Sequence, residues 1–233
     1  MGRRENNEDS LLMLPELGFY AVADGMGGYE GGEVASRLAI STLKTYLELL
    51  GNDALGDPED DLFEEIVTER VGLALRVAHR EVRRRAVGRL RQMGTTLACL
   101  AVRGERAMIA HVGDSRVYRL REGELAQLTR DHSLLAEAEA SGGMRGVVDP
   151  RMRHVITQAV GQGPVIRPDL LLEGVLPGDR FLLCSDGLSD VLTDSEITRG
   201  LSRTRDVAES LCQAAYDAGS ADNITALVVT VEG

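Results

Sequence analysis

The chain has 233 residues, 43% of them hydrophobic, and its 26 Lys plus Arg against 37 Asp plus Glu leave a net charge of −11. That length and apolar share build one globular domain with a substantial core and exclude disorder, while the acidic balance argues against nucleic acid or an anionic membrane surface as partner. Cys99, Cys184 and Cys212 lie in apolar segments with no CxxC pair, and no apolar run is long enough for a membrane span or signal peptide, which points to inert, reduced thiols and a cytoplasmic protein.

In chain order, runs rich in Val, Leu and Ile and bounded by Gly, Asp and Pro predict strands at Leu11 to Leu14 and Gly18 to Ala23. Two amphipathic helices follow, one carrying Val34, Leu38, Leu43, Leu47 and Leu50, the other Leu62, Ile66, Leu73 and Val77, with the linker GNDALGDPEDD between them. The basic stretch HREVRRRAVGRLRQ at the end of the second places Arg80, Arg83 and Arg84 on neighbouring helical positions. It reads first as a solvated face and second as a docking site for an acidic partner.

Further strands are predicted at Thr95 to Val102, Ala107 to Val112 and Val117 to Leu120, in a series of four that reaches Leu128 with turn-length gaps. Such a series argues for antiparallel sheets with helices outside, not a doubly wound parallel sheet. The segment from Asp131 to Val165 starts helical and passes into the Gly-rich SGGMRGVVDP, a surface excursion. Strands return at Leu170 to Val175, Phe181 to Cys184 and Thr225 to Val231. Helices at Thr193 to Leu201, with Thr193 and Glu196 at capping-box spacing, and at Asp206 to Ala218 lie between the last two.

Four apolar runs end or begin at an aspartate: GFYAVAD at Asp24, AMIAHVGD at Asp114, RFLLCSD at Asp186 and DNITALVV at Asp222. A carboxylate at a strand end stands on a rigid support at the rim of a sheet, and several side by side converge their oxygens on one cleft. With the Glu8-Asp9 pair added and no Cys or His cluster at ligand spacing, oxygen-only ligation selects Mg²⁺ or Mn²⁺. The loop DGMGGYEGG lacks the glycine that GxGxxG needs at position 30, and no GK[ST] follows. It therefore serves close backbone approach, with the Gly25 carbonyl as a further ligand, and not nucleotide binding.

These segments resemble the metal-dependent serine/threonine protein phosphatases of type 2C, in their bacterial form. The resemblance rests on Arg4, Asn7, Glu8 and Asp9 in RxxNED; on Asp24 to Gly28 in DGMGG; and on Gly32, Glu33, Ala35 and Ser36 in GExAS. It continues through MGTTL from Met93, VGDSRVYRLR from Val112, LTRDHSL from Leu128, TQAVG from Thr157, LLCSDGLSD from Leu182 and DNITALVV from Asp222, nearly the whole chain.

The resemblance implies an α+β fold, a four-layer αββα sandwich forming a single catalytic domain over 1–233, with a flap at 132–165 beside the site. It implies two Mn²⁺ or Mg²⁺ ions, with Asp24 bridging, the Gly25 carbonyl completing one of them, Asp186 and Asp222 ligating directly, and Asp9 and Glu8 acting largely through water. A third ion, known in bacterial relatives, falls on Asp114 and Asp186. The implied reaction is hydrolysis of phosphoserine and phosphothreonine by a metal-activated water, with Arg4 clamping the phosphate through two guanidinium hydrogen bonds. Partners are then phosphorylated proteins of serine/threonine kinase signalling, and a monomer is expected.

Two departures from the family pattern stand out. Some members carry a histidine where this chain has Met26 or Tyr29, so no protonating residue is identified; His132 and His111 read as structural. Relatives also carry a further strand ahead of RxxNED, whereas only three residues precede Arg4 here; either the sequence is trimmed, or that strand is absent, which would leave Arg4 less anchored and a sheet edge open. The alternative functions are a phosphoprotein-binding module without turnover and a phosphatase dedicated to one regulatory protein. The glycines Gly142, Gly143 and Gly146 imply a flap that opens and closes.

Overall fold

A computed structural model describes residues 4, 6–27, 31–140 and 154–232. The expected strands form two antiparallel sheets. The first is ordered β1 (Asp9–Leu14), β2 (Phe19–Met26), β4 (Leu97–Arg103), β5 (Arg106–Val112) and β8 (Asp169–Gly174), with β3 (Gly94–Thr95) pairing the far end of β2. The second is ordered β10 (Ala226–Thr230), β9 (Arg180–Cys184), β6 (Arg116–Arg121) and β7 (Glu124–Gln127), so β10 occupies one of its edges.

Strand alternation sorts side chains into layers. On the first sheet Ala21, Ala23, Cys99 and Ala101 face α1 (Gly31–Leu50) and α2 (Phe63–Arg85), whereas Val22, Ala98 and Leu100 face the second sheet. On the second, Val117, Phe181 and Leu183 face inward. Tyr118, Leu182 and Cys184 turn to α4 (Asp186–Ser189), α5 (Asp194–Leu201) and α6 (Val207–Asp217). The result is the expected αββα sandwich. Arg119 of β6 and Glu173 of β8 tie the two sheets together at 2.7 Å. Among the described residues, no helix is long and apolar enough to cross a membrane.

The structure corrects the sequence reading at several points. The inward face of α2 carries Phe63, Val67, Val71, Ala74, Leu75, Ala78 and Val82, while Leu62 and Leu73 are 54% and 40% exposed. Two apolar ladders of similar period run along this helix one residue apart. The ladder with small Ala74 and Ala78 is the one that packs closely against α1 and the sheet. The linker after α1 is not all solvent, because Ala54 and Leu55 are buried in the core. The strand expected over Thr95 to Val102 breaks at Thr96, whose hydroxyl accepts from the Asp24 N–H (2.9 Å) and pairs with the Ser115 hydroxyl (2.7 Å). The short α4 was not anticipated. The Thr193/Glu196 capping box opens α5 as read, the Thr193 N–H donating to the Glu196 carboxylate at 2.8 Å.

Within the expected flap, α3 (Leu134–Ala140) follows an isolated bridge between Ser133 and Ile156, and Val160 bridges back to Thr95. The glycines Gly142, Gly143 and Gly146, and Tyr29, lie outside the described residues.

Candidate metal centre

Register brings the first pair of carboxylates together. β1 and β2 run antiparallel with Asp9 opposite Asp24, so both side chains reach the same end of the sheet. The turn after β5 adds Asp114, the start of α4 directly after β9 adds Asp186, and the loop before β10 adds Asp222. All but Asp9 line one cleft of about 510 Å³ together with Arg4, Glu8 and Gly25. The candidate metal ligands and Arg4 are thus all at this one end of the sandwich.

Each carboxylate has its own support. The Asp9 Oδ2 accepts from the Ser185 hydroxyl (2.8 Å) and the Thr225 hydroxyl (2.6 Å). Asp222 accepts the Asn223 N–H on Oδ1 (2.8 Å) and the Arg4 guanidinium on Oδ2 (2.8 Å), which anchors Arg4 at the rim. Asn223 fastens the N-terminal segment, accepting from the Glu8 N–H (2.9 Å) and donating to the Asn6 carbonyl (2.9 Å). Behind Asp114, His132 brackets the turn: its N–H donates to the Gly113 carbonyl (2.9 Å) and its Nδ1 accepts from the Gly113 N–H (3.2 Å). His111 stacks on His132 at 4.7 Å with its Nε2 on the Arg130 carbonyl (2.7 Å). Both histidines therefore have structural work beside the site.

Two glycines are required by close approach. A Cβ on Gly25 would stand 2.1 Å from the Gly32 carbonyl oxygen and 2.6 Å from that of Glu8. A Cβ on Gly187 would meet the Asn223 carbonyl oxygen at 1.9 Å. The first lets β2, α1 and the Glu8 strand crowd around Asp24, and the second seats the Asp222 loop on α4.

The electrostatics are those of an acidic cluster short of positive charge. Burial, and then repulsion from Asp9, Asp186, Asp114 and Asp222, raises Asp24 well above the carboxylate range. Burial first and Asp186 second push Asp114 up to about 7; burial first and Asp190 second push Asp186 to about 6. Burial likewise raises Asp9 and Glu8. Among the described residues, the Oδ1 atoms of Asp9 and Asp186 are buried with no hydrogen-bond partner. Unpaired buried carboxylate oxygens cost several kcal/mol unless a cation or proton meets them. An oxygen-only set of this kind fits a hard divalent ion.

Several contributors were missed in the sequence. Thr96, Ser185, Thr225 and Asn223 lie in the segments MGTTL, CSDG and DNIT, which flagged the region but not the roles. His154 and Asp190 were also missed. They lie beside Asp186, each of the three offering a ligand atom within 4.8 Å of the others, with His154 Nδ1 3.3 Å from Asp190 Oδ2. His111, His132 and Asp169 form another such group, but one ring nitrogen of each histidine is already taken by backbone. No histidine is among the described residues that line the cleft, and Met26 stands in its wall.

The serine/threonine protein phosphatase PstP of Mycobacterium tuberculosis is 37% identical over 234 residues, covering 98% of this chain and 43% of PstP, so the chain spans less than half of that relative's length. Protein phosphatase PhpP of Streptococcus pneumoniae is 35% identical over 239 residues, covering 98% of this chain and 93% of PhpP. The crystal structure of the PstP catalytic domain in complex with two manganese ions superposes with a TM-score of 0.81 at 35% identity, over 99% of this chain and 94% of that one. The family description "Protein phosphatase 2C" matches residues 3–227, and with its carboxylates gathered where the motifs lead, this chain belongs to the protein phosphatase 2C family.

Proposed function

We propose that the chain is a Mn²⁺- or Mg²⁺-dependent protein phosphatase that hydrolyses phosphoserine and phosphothreonine, the function expected from the sequence. The observation that carries this is the pair of buried, unpartnered oxygens, Asp9 Oδ1 and Asp186 Oδ1, among carboxylates raised by burial and mutual repulsion. A phosphoprotein-binding module without turnover has no use for such a costly cluster.

Asp24, Asp186 and Asp222 with the Gly25 carbonyl, and Asp9 and Glu8 largely through water, would hold two divalent ions, and Asp114 with Asp186 would hold a third. Bound there, such ions would supply Lewis acidity and neutralise phosphoryl charge. The protein's own share is positional. Ser185 and Thr225 hold Asp9 by its Oδ2, which leaves Oδ1 for an ion or its water. Arg4 lines the same cleft, and its planar guanidinium, held at Asp222, offers further N–H groups to two phosphate oxygens.

The substrates are phosphorylated proteins, the counterpart of serine/threonine kinases. The chain acts as a monomeric single catalytic domain over 1–233 in the cytoplasm, with 132–165 as a flap at the cleft, where Ile156 lines the wall. The buried, unpaired thiols Cys99 and Cys184 suit a reducing compartment. Release of phosphate from a phosphothreonine peptide with Mn²⁺ tests the reading. Activity abolished by EDTA and by Asp186→Ala is expected; a folded protein inactive with either ion overturns it.

A further inference from the structure

Beyond the wall formed by Met26 and Gly27 lies a second cavity, of about 890 Å³, and those two residues line both cavities. Its character is opposite to that of the cleft. Arg83 from the end of α2 and Arg91 from the turn after it face it beside Gln92 and Gln162, and none of the described residues lining it is acidic.

The walls are built in advance. The Gly161 N–H donates to His79 Nδ1 at 3.0 Å, the Gln162 amide donates to the Gln92 carbonyl at 3.1 Å, and Val160 is bridged to Thr95 beside Asp24. Arg83 donates from Nη1 to the Pro164 carbonyl (3.1 Å), and its other donors meet no acceptor among the described residues. Neither Arg83 nor Arg91 forms an ion pair with a carboxylate among the described residues, whereas neighbouring Arg84 is paired with Glu81 at 2.9 Å. The helix dipole accounts for arginines in the last turn of α2, but Arg91 lies beyond that helix.

In a chain of net charge −11, two exposed guanidiniums with no ion-pair partner among the described residues, in an open cavity beside a cleft read as the phosphatase site, have a chemical use. We propose that this cavity is a second anion subsite, which takes a phosphate or carboxylate side chain carried by the same substrate polypeptide as the phosphoresidue being hydrolysed. The assignment rests on the phosphatase reading. It makes the basic end of α2 a specificity element instead of a merely solvated face.

Three phosphothreonine peptides test it: one with neutral flanks, one with flanking aspartates, and one with a flanking non-hydrolysable phosphonate residue. Two guanidinium contacts at a partly exposed site lower KM by about fivefold for the anionic peptides while leaving kcat alone. The double variant Arg83→Gln/Arg91→Gln removes that preference, and Arg84→Gln, outside the cavity, keeps it. Fluorescence anisotropy of a labelled peptide with phosphonates at both positions reads the same loss without turnover.

A gain on the phosphonate peptide alone assigns the subsite to a second phosphate, and a gain on both assigns it to any anionic side chain. Equal KM for all three peptides in the wild type, or a preference that survives the double substitution, overturns the subsite while leaving the phosphatase intact. Failure of the wild type to turn over even the neutral peptide overturns the phosphatase reading and the subsite's role in it together.

Discussion

Replacing Asp114 by Asn should stabilise the metal-free protein at neutral pH, by an amount that vanishes in mild acid. Asp114 is 7% exposed, and burial, with Asp186, Asp131 and Asp190 behind it, pushes its carboxyl from 3.8 to about 7. Between those values the folded protein holds a proton that the unfolded chain has released. Stability is therefore fullest below the unfolded value and falls as pH rises toward the folded one. A gap of about 3 pH units corresponds to about 4 kcal/mol once the group is charged in both states. The Asn amide must still be buried, which offsets about 2 kcal/mol. The net gain of about 2 kcal/mol is about 4–8 °C in Tm for a chain of this size. Thermal unfolding followed by circular dichroism in EDTA, at pH 5 and pH 8, reads it directly. The variant should melt higher at pH 8 and level with wild type at pH 5, and with Mn²⁺ the wild type should gain more than the variant. A variant that melts lower at pH 8, or shifts equally at both pH values, refutes the reasoning.

Gly187→Ala drives a methyl against the Asn223 carbonyl oxygen. It should cost about 2–3 kcal/mol in urea unfolding and at least a hundredfold in phosphatase activity as the Asp222 loop is displaced. Ser185→Ala combined with Thr225→Val frees Asp9 Oδ2 and should raise the Mn²⁺ concentration for half-activation about tenfold or more, with little change at saturating metal. Arg4→Lys keeps the charge but loses the planar pair of donors, and should raise KM for a phosphothreonine peptide about tenfold; an unchanged KM would remove Arg4 from phosphate binding.

The sequence made the carboxylates legible because Asp9 and Asp24 lie at the end of a strand and Asp114, Asp186 and Asp222 within a few residues of one, where position along the chain and position in space nearly coincide. Asp24 and Asp9 could be named before their cross-strand pairing was visible. The hydroxyls that hold Asp9 could not, since Ser185 and Thr225 meet it only once β9 and β10 lie beside each other with Cys184 opposite Ala226. The face of α2 was misjudged for a related reason. Leu62 and Leu73 form as good a periodic ladder as Phe63 and Val67, and only the fit against α1 decides between them. Leu55 plugs the core from a segment whose Asp, Gly and Pro content signals solvent. Arg83, Arg84 and Arg91 read as one basic run, yet the helical step of about 100° per residue turns Arg84 away from the second cavity that Arg83 lines, and only the turn after α2 brings Arg91 to it.

The central claim, that the aspartates at this end of the sandwich exist to hold divalent ions, is tested most directly by calorimetric titration of Mn²⁺ into the metal-free protein and its Asp24→Asn variant at pH 7.5. At least two ions per chain are expected in the wild type, with protons released on binding chiefly from Asp24 and in smaller part from Asp114, both raised, and a loss of at least one ion is expected in the variant. Binding of no ion by the folded wild type, or identical isotherms for the two proteins, would contradict it.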